Sequence, residues 1–524
     1  MKKIFLLWIG LLICIVIAYV LAGFNTEKIS NPPNILLAIS DDQSFPHASI
    51  YGFNVVNTPG FDRIAKEGIL FNNAFSAAPG CSPSRASLLT GKHIWELEDA
   101  GSHASYFPSK FRTYTTILSE NGYLVGYTGK GWGPGNWKDS GWQINPAGKE
   151  YNEITDSDVP LFIRNTDYFE NFKSFLGDRK RKQPFCFWYG ASEPHRRYKS
   201  GIGEDSGMNI EELVVPGFLP DVEPVRSDIL DYLFEIQHFD KHLNKMIEYL
   251  EEIGELDNTL IIVTSDNGMP FPRAKANLYE YGSHMPMAIR WGEEVSPGRV
   301  VDDLISLTDV APTIIDVFER SSNVEINIIN KMTGRSFLEI LLSDKSGLLE
   351  SDRTEIYSGR ERHSCSRWQN LSYPIRAVRT QDYLYIKNFK PDRWPAGAPV
   401  KYNHEMDLVA GFHDIDDFQE SYIFENRNVD SIKYYFDLAV RKRPMEELFD
   451  IYKDPYCLNN LSPLPEYQAI LIQLRDLLNS RLKETSDPRV VGKGKVWETY
   501  KRFNVMRTFP DPDWASDAEH NKCK

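Results

Sequence analysis

The sequence predicts an α/β fold, with a large, mostly parallel sheet flanked by helices and a smaller α+β region that carries an antiparallel sheet. Short apolar runs alternate with stretches of helical periodicity from Asn34 to Phe318, which is typical of a doubly wound parallel sheet. After about residue 373 the apolar residues follow a two-residue period, which indicates an antiparallel hairpin. Of the 524 residues, 42% are apolar and 25% are charged, and this globular composition excludes a disordered or fibrous chain.

The N-terminus has the pattern of a secretory signal peptide. Met1-Lys2-Lys3 is basic, residues 4–22 are almost wholly apolar, and Val20-Leu21-Ala22 ends the run with small residues. We therefore expect residues 1–23 to be a signal peptide and the protein to be periplasmic or secreted. The apolar run is longer than usual for a signal, so an uncleaved membrane anchor is the alternative.

Each later element is predicted from its own local pattern. Thr58-Pro59 precedes apolar residues at helical spacing, and proline is favoured in the first turn of a helix. Residues 84–90 begin another helix, further helices are expected at 166–176, 225–256 and 308–318, and buried strands at 34–40, 123–128, 185–190 and 258–265. A hairpin at 377–388 and a helix at 467–482 follow. Residues 31–372 are expected to form the larger domain and residues 373–510 the smaller one.

Charge and cysteine content limit the classes of function. With 59 basic and 73 acidic side chains, the net charge is −14, which disfavours nucleic acid and anionic membranes as partners. The charge does not exclude an anionic substrate that is held in a locally basic pocket. The six cysteines are too sparse for a disulfide scaffold, although one or two bridges could form among Cys186, Cys365, Cys457 and Cys523.

Acidic side chains follow two of the predicted strands. Asp41 and Asp42 come after the first strand, and Asp266 and Asn267 come after the strand at 258–265. Ligands of open α/β sheets bind beyond the carboxyl ends of the strands, where these residues would converge. Their oxygen atoms would suit Ca²⁺ or Mg²⁺, although Asp and Asn also begin loops without binding any metal.

A second group of residues lies at a predicted helix start. Cys81 would face the positive end of the helix dipole, and Arg85 lies one turn further on. The run Cys81-Ser82-Pro83-Ser84-Arg85, followed by Thr90-Gly91, resembles the signature of the formylglycine-dependent sulfatases. The two acidic clusters match that family's calcium motifs in the same order. The resemblance extends over about residues 34–463 and implies the alkaline-phosphatase-like sulfatase fold. The runs 265–279 and 373–379 look most like the heparan N-sulfatase (sulfamidase) subfamily.

The resemblance implies a chemistry for each matching residue. A maturation enzyme would oxidise Cys81 to formylglycine (3-oxoalanine), whose hydrate attacks sulfur with one hydroxyl and expels sulfate with the other. One Ca²⁺ ion would be held by the residue formed from Cys81 together with Asp41, Asp42, Asp266 and Asn267. Among the catalytic residues, Arg85 would steady the hydrate, Lys130 and Lys275 would contact the sulfate, and His195 would protonate the leaving atom.

The sequence departs from the family at Trp132. Many sulfatases have a histidine at this place, two residues after the lysine that Lys130 matches, and tryptophan cannot transfer a proton. His93 and His103 are the candidates to replace it, while Trp132 could stack on a sugar ring.

Substrate contacts are expected just before the smaller domain. Arg360, Arg362 and His363 lie where the family often lines its substrate cleft, and arginine pairs bidentately with carboxylate or sulfate. A solvated charged loop is the alternative interpretation of this run.

We therefore expect a sulfatase that acts on sulfate esters or sulfamates of sugars from a sulfated polysaccharide. Three alternatives stay open at this point: a heparan N-sulfatase specifically, a phosphomonoester or phosphonate hydrolase of the same superfamily, and a catalytically silent glycan-binding protein. The sugar, the position of the sulfate and the oligomeric state do not follow from the sequence.

Overall fold

The computed structural model describes residues 32–322, 324–326 and 332–512. The expected signal peptide at 1–23 lies outside the described residues, as does Cys523. Within the described residues, no helix is long and apolar enough to cross a membrane. The described cysteines form no disulfide with one another.

The strands and helices alternate as predicted over most of the chain. The strands are β1 (Asn34–Ser40), β2 (Ile69–Phe75), β3 (Leu124–Gly129), β4 (Lys149–Glu150), β5 (Phe185–Gly190), β6 (Thr259–Ser265), β7 (His284–Arg290), β8 (Arg299–Val301), β9 (Ile305–Ser306), β10 (Glu355–Arg360), β11 (Ile375–Thr380), β12 (Tyr383–Asn388), β13 (Val400–Tyr402), β14 (Leu408–Ala410) and β15 (Glu446–Asp450). The helices are α1 (Pro59–Lys66), α2 (Cys81–Thr90), α3 (Tyr114–Glu120), α4 (Tyr168–Gly177), α5 (Ile202–Asp205), α6 (Glu223–Glu252), α7 (Glu280–Ser283), α8 (Val310–Ser322), α9 (Leu338–Leu342), α10 (Tyr422–Glu425), α11 (Asp430–Val440) and α12 (Gln468–Glu484).

A large mixed sheet forms the centre of the molecule. Its strand order is β4-β3-β5-β1-β6-β7-β2-β8, with β9 also paired to β2. The strands from β4 to β6 are parallel, and β7 runs antiparallel to both β6 and β2. The sheet is therefore mostly parallel, as the sequence predicts.

Helices cover both faces of this sheet. In β1, Ile35, Leu37 and Ile39 pack into one core with α2, α3 and α8. Leu36 and Ala38 point to the opposite core, which contains side chains of α1, α4 and α6. A strand that is buried on both faces has no polar alternation, which explains its uninterrupted apolar sequence.

A four-stranded antiparallel sheet lies after the large one in sequence, in the order β10-β11-β12-β15. One face packs against α12, and the other face contacts Leu278 and Tyr279 of the larger domain. The expected hairpin is the β11–β12 pair. The boundary expected at residue 373 falls inside this sheet, because β10 precedes it and pairs with β11.

Candidate active site

The two acidic clusters lie side by side at one edge of the large sheet. Asp41 and Asp42 follow β1, Asp266 and Asn267 follow β6, and these strands are parallel neighbours. All four side chains are buried, and one oxygen from each of the three carboxylates lies within 4.8 Å of the others. Asp42 has a φ of 78°, a left-handed conformation that is strained for aspartate and typical of functional turns. Its backbone N–H donates a hydrogen bond to Asp266 Oδ1 at 3.2 Å, which ties the two turns together.

This cluster has the donors that a hard divalent cation requires. Oδ1 of Asp41 and Oδ1 of Asn267 are buried with no hydrogen-bond partner among the described residues. Burial, together with the charge of Asp41, raises the pKa of Asp266, as expected for crowded carboxylates. A bound cation would relieve both penalties, and oxygen-only ligands suit Ca²⁺ or Mg²⁺. The residues present therefore fit a metal site.

Cys81 is the first residue of α2, so the helix begins three residues earlier than the sequence indicated. The positive end of the helix dipole would lower the pKa of its thiol. Burial dominates, however, because the residue is only 1% exposed, and the pKa is raised. Its Sγ lies 3.3 Å from Nε2 of His103.

Arg85 lies one turn along α2 and is fully buried behind the acidic cluster. Its Nε donates to Asp266 Oδ2 at 2.6 Å, and its Nη1 donates to the backbone carbonyl of Lys130 at 2.6 Å. Its Nη2 lies 3.8 Å from Asp41 Oδ1 and has no hydrogen-bond partner among the described residues. Arg85 thus holds the cluster in place and keeps one donor available.

Two lysines pair with the aspartates that follow β1. Nζ of Lys130 lies 2.5 Å from Asp41 Oδ2. Nζ of Lys275 lies between Asp42 Oδ2 at 2.6 Å and Asp416 Oδ2 at 2.7 Å. Burial would lower the pKa of Lys275, but Asp416 and Asp42 outweigh it and raise that pKa well above its usual value. Lys275 is therefore held as a buried cation.

His195 lies in the loop after β5 and is held in one tautomer. Its Nδ1 is 2.7 Å from the backbone carbonyl of Arg196, and because a carbonyl only accepts, Nδ1 carries the hydrogen. Its Nε2 lies 3.8 Å from Asp42 Oδ2 and 4.0 Å from Asp416 Oδ2. Nε2 is therefore the atom placed to give or take a proton.

These side chains meet in one cavity of about 830 Å³. The expected site residues that line it are Asp41, Cys81, His103, Lys130, His195, Lys275 and His363. Asp416 also lines it, and sequence reasoning missed this residue. It lies in the irregular segment after β14, at no strand end and in no motif, so no local pattern singles it out.

The structure distinguishes between the roles expected of Trp132 and of the two histidines that could replace the family's histidine. Trp132 is 2% exposed, packs against Phe107 and donates its indole N–H to the backbone carbonyl of Ser82, so it presents no surface to a sugar. His93 is buried and stacks on Trp95, away from the cavity. His103 contacts Cys81 and is the histidine placed to act beside it.

Arg360 and Arg362 do not meet the expectation of substrate contact, because neither lines the cavity. Arg360 is 3% exposed and pairs with Asp414 at 2.5 Å. Arg362 is 2% exposed and donates to the backbone carbonyl of Tyr500 at 2.7 Å. Both guanidiniums instead fix segments that line the cavity, and of the three expected contacts only His363 reaches it.

Comparison with known proteins gives full-length relatives. The chain is 28% identical over 502 residues to the human protein named N-sulphoglucosamine sulphohydrolase, covering 90% of this chain and 93% of that one. It is 26% identical over 503 residues to an ulvan-active sulfatase of Formosa agariphila, covering 88% and 76%.

Solved structures share the fold. A protein of Bacteroides thetaiotaomicron glycosaminoglycan metabolism has a TM-score of 0.62 at 18% identity, covering 88% of this chain and 98% of that one. A protein solved with its substrate D-glucosamine-2-N,6-O-disulfate has a TM-score of 0.59 at 21% identity, covering 87% and 99%.

Two family models match the sequence itself. The model described as N-sulphoglucosamine sulphohydrolase, C-terminal, matches residues 273–409. The sulfatase model matches residues 33–319, which include β1, α2, β6 and all the expected site residues that line the cavity except His363. With more than half of its length matched in this way, the chain belongs to the sulfatase family of sulfuric ester hydrolases.

Proposed function

We propose that this protein removes sulfate from a sugar of a sulfated polysaccharide, with Cys81, converted to formylglycine, as the reacting residue. The observation that carries this proposal is that Cys81 lines the same cavity as Asp41, Lys130 and Lys275. The buried Lys275, the partly buried Lys130 and a bound cation would neutralise a small dianion in a chain that is acidic overall.

We assign Ca²⁺ to the acidic cluster, held by Asp41, Asp42, Asp266, Asn267 and residue 81. The unpartnered oxygens of Asp41 and Asn267 support this assignment. When bound, the cation supplies positive charge for the nucleophile and for the transferring sulfuryl group. Lys130 and Lys275, which line the same cavity, would contact the anion.

A formylglycine at position 81 would supply a geminal diol in place of the thiol. It requires a formylglycine-generating maturation enzyme as a partner. His103 Nε2, at 3.3 Å from Cys81 Sγ, is close enough to exchange a proton with a hydroxyl at this position. When both of its ring nitrogens carry a hydrogen, His195 would donate from Nε2 the proton that the leaving oxygen or nitrogen needs.

The first substrate to test is N-sulfated glucosamine. The C-terminal family model spans Lys275, and the human relative is named for this substrate. The similarity to an ulvan-active sulfatase of Formosa agariphila makes ulvan the second candidate. A cavity of about 830 Å³ has room for a sulfated sugar, since small-molecule sites span roughly 300–1,000 Å³. The N-terminal pattern supports action in the periplasm or outside the cell.

Two measurements test this proposal. Mass spectrometry of the Cys81 peptide should show a loss of about 18 Da on conversion to formylglycine. Cys81→Ala should abolish turnover while the melting temperature stays within a few degrees of wild type, since alanine fits the same buried helix start. A wholly unmodified thiol in the native host, or an active Cys81→Ala variant, would contradict the proposal.

A substrate panel separates the remaining alternatives. Rates on N-sulfoglucosamine, glucosamine 6-sulfate, aryl sulfate and aryl phosphate should place sulfate or sulfamate hydrolysis first. A faster rate on aryl phosphate would identify a phosphoester hydrolase, and binding without turnover of any of them would identify a silent glycan-binding protein.

A further inference from the structure

Arg502 brings a buried guanidinium to the catalytic cavity from the C-terminal part of the chain. The residue is 6% exposed and lines the cavity. Its segment is anchored on the larger domain, because the N–H of Phe503 donates to the backbone carbonyl of Ala104 at 2.7 Å. The side chain is therefore held in place before any ligand binds.

This guanidinium has no carboxylate partner among the described residues. Its Nη1 donates to the backbone carbonyls of His363 at 2.7 Å and His103 at 3.4 Å, and its Nε is buried without a hydrogen-bond partner in the described part of the chain. By contrast, the equally buried Arg360 pairs with Asp414 at 2.5 Å. A buried cation without a counter-ion is costly, and an anionic ligand would compensate that cost.

The surroundings of Arg502 supply further donors. His413 and Arg507 line the same cavity. Nε2 of His413 is buried with no hydrogen-bond partner among the described residues. Two carboxylates of the same cavity are already paired with lysines, Asp41 with Lys130 and Asp416 with Lys275. A second anion entering the cavity would therefore meet the guanidinium of Arg502, which has no carboxylate partner among the described residues.

The Arg502 end is close to the reacting centre and distinct from it. His103 separates the two, since its ring contacts Cys81 at 3.3 Å and its backbone carbonyl accepts from Arg502. A sugar whose sulfate lies at Cys81 would thus bring a neighbouring substituent toward Arg502. The position lies beyond residues 273–409, so the C-terminal family model does not cover it.

We propose that Arg502, with His413 and Arg507, forms a subsite for a second oxyanion of the substrate, either a carboxylate or a second sulfate group. Guanidinium pairs bidentately with both groups. This inference rests on the proposed function, because it assigns the remainder of the same cavity. It predicts that the preferred substrate is a sugar with two anionic groups or a sulfated sugar linked to a uronic acid.

The test compares substrates that differ in the second anion. We would measure kcat/KM on N-sulfoglucosamine, on its 6-O-sulfated form and on its disaccharide with a uronic acid. Wild type should prefer at least one of the dianionic substrates. Arg502→Gln should lower kcat/KM on that substrate by about tenfold or more, as expected for a lost hydrogen bond to a charged group, and by less than about threefold on N-sulfoglucosamine. The dianionic substrate that suffers the loss tells whether the subsite takes a sulfate or a carboxylate.

A matched control is Arg362→Gln, which removes another buried guanidinium that holds the same segment through Tyr500 but does not line the cavity. It should lower the melting temperature and leave the ratio of rates between substrates unchanged. If Arg502→Gln does not fold, Arg502→Lys keeps the charge without the bidentate geometry and should show a smaller loss confined to the dianionic substrate.

Three results would overturn the subsite: an equal loss on all substrates, no loss on any, or no wild-type preference for a second anion. An enzyme that cleaves aryl sulfate but none of these sugars would also overturn it and leave the sulfatase activity standing. Inactivity on aryl sulfate as well would instead refute the proposed function.

Discussion

Asp416→Asn should lower kcat/KM by roughly ten- to a hundredfold. Lys275 is 4% exposed, and its ammonium lies 2.6 Å from Asp42 and 2.7 Å from Asp416. Asparagine keeps the size of the side chain but removes one of these two charges. A hydrogen bond to a charged group contributes about 1.5–3 kcal/mol, and about 1.4 kcal/mol corresponds to a factor of ten in rate. Asp416 is 27% exposed and Asp42 still holds the lysine, so we expect the lower half of this range.

The assay is steady-state hydrolysis of an aryl sulfate and of the preferred sugar, with inhibition by free sulfate as a second measurement. A lysine that is less well positioned binds the anion more weakly, so KM and the inhibition constant of sulfate should both rise. Asp417→Asn is the matched control, because the adjacent Asp417 pairs with Arg197 at 3.3 Å and does not contact Lys275. An Asp416→Asn enzyme within twofold of wild type would refute this account of Lys275. So would an equal loss in Asp417→Asn.

Two further perturbations test the metal site and the buried arginine. Dialysis against a chelator should abolish turnover and lower the melting temperature. Adding Ca²⁺ at a hundred times its Kd should restore about 2.7 kcal/mol of the free energy of unfolding. Full activity in metal-free protein would contradict the assignment of the cation to Asp41, Asp42 and Asp266. Arg360→Gln should lower the free energy of unfolding by about 3 kcal/mol and change KM little. This is the low end of the cost of breaking a buried ion pair, because Arg367 still contacts Asp414. Urea denaturation and kinetics check this, and a raised KM at unchanged stability would show that Arg360 binds substrate after all.

Much of the site could be predicted because its residues follow local patterns. The uninterrupted apolar runs of β1 and β6 indicate buried parallel strands, and these two strands are parallel neighbours. The acidic cluster comes directly after them: Asp41, Asp42, Asp266 and Asn267. Cys81 and Arg85 are one helical turn apart, which places both on the same side of α2. These positions depend on spacing within a single element, and spacing is visible in a sequence.

The residues whose predicted roles do not fit the structure, and the residue that the sequence did not indicate, depend on contacts between distant parts of the chain. Arginine is suited to binding anions, but both guanidiniums bind groups of the protein itself. Arg360 pairs with Asp414, 54 residues away in sequence, and Arg362 donates to the backbone carbonyl of Tyr500, 138 residues away. Trp132 has the side chain of a sugar platform, yet it packs against Phe107 inside the core. Asp416 was missed for the same reason, because its partner Lys275 lies 141 residues away in sequence.

The sequence by itself therefore determined the α/β fold and singled out the acidic cluster and Cys81 as candidate site residues. The fold and the acidic cluster follow from strand burial, helix spacing and strand-end acids, which are local consequences of backbone geometry, whereas the role of Cys81 follows from the resemblance of its motif to the sulfatase signature. Only the tertiary structure decided which charged groups pair with other groups of the protein and which line the cavity. A buried charge pairs with a partner that folding brings close to it, so Arg360 pairs with Asp414, whereas Arg502 lines the cavity and donates to the backbone carbonyl of His363.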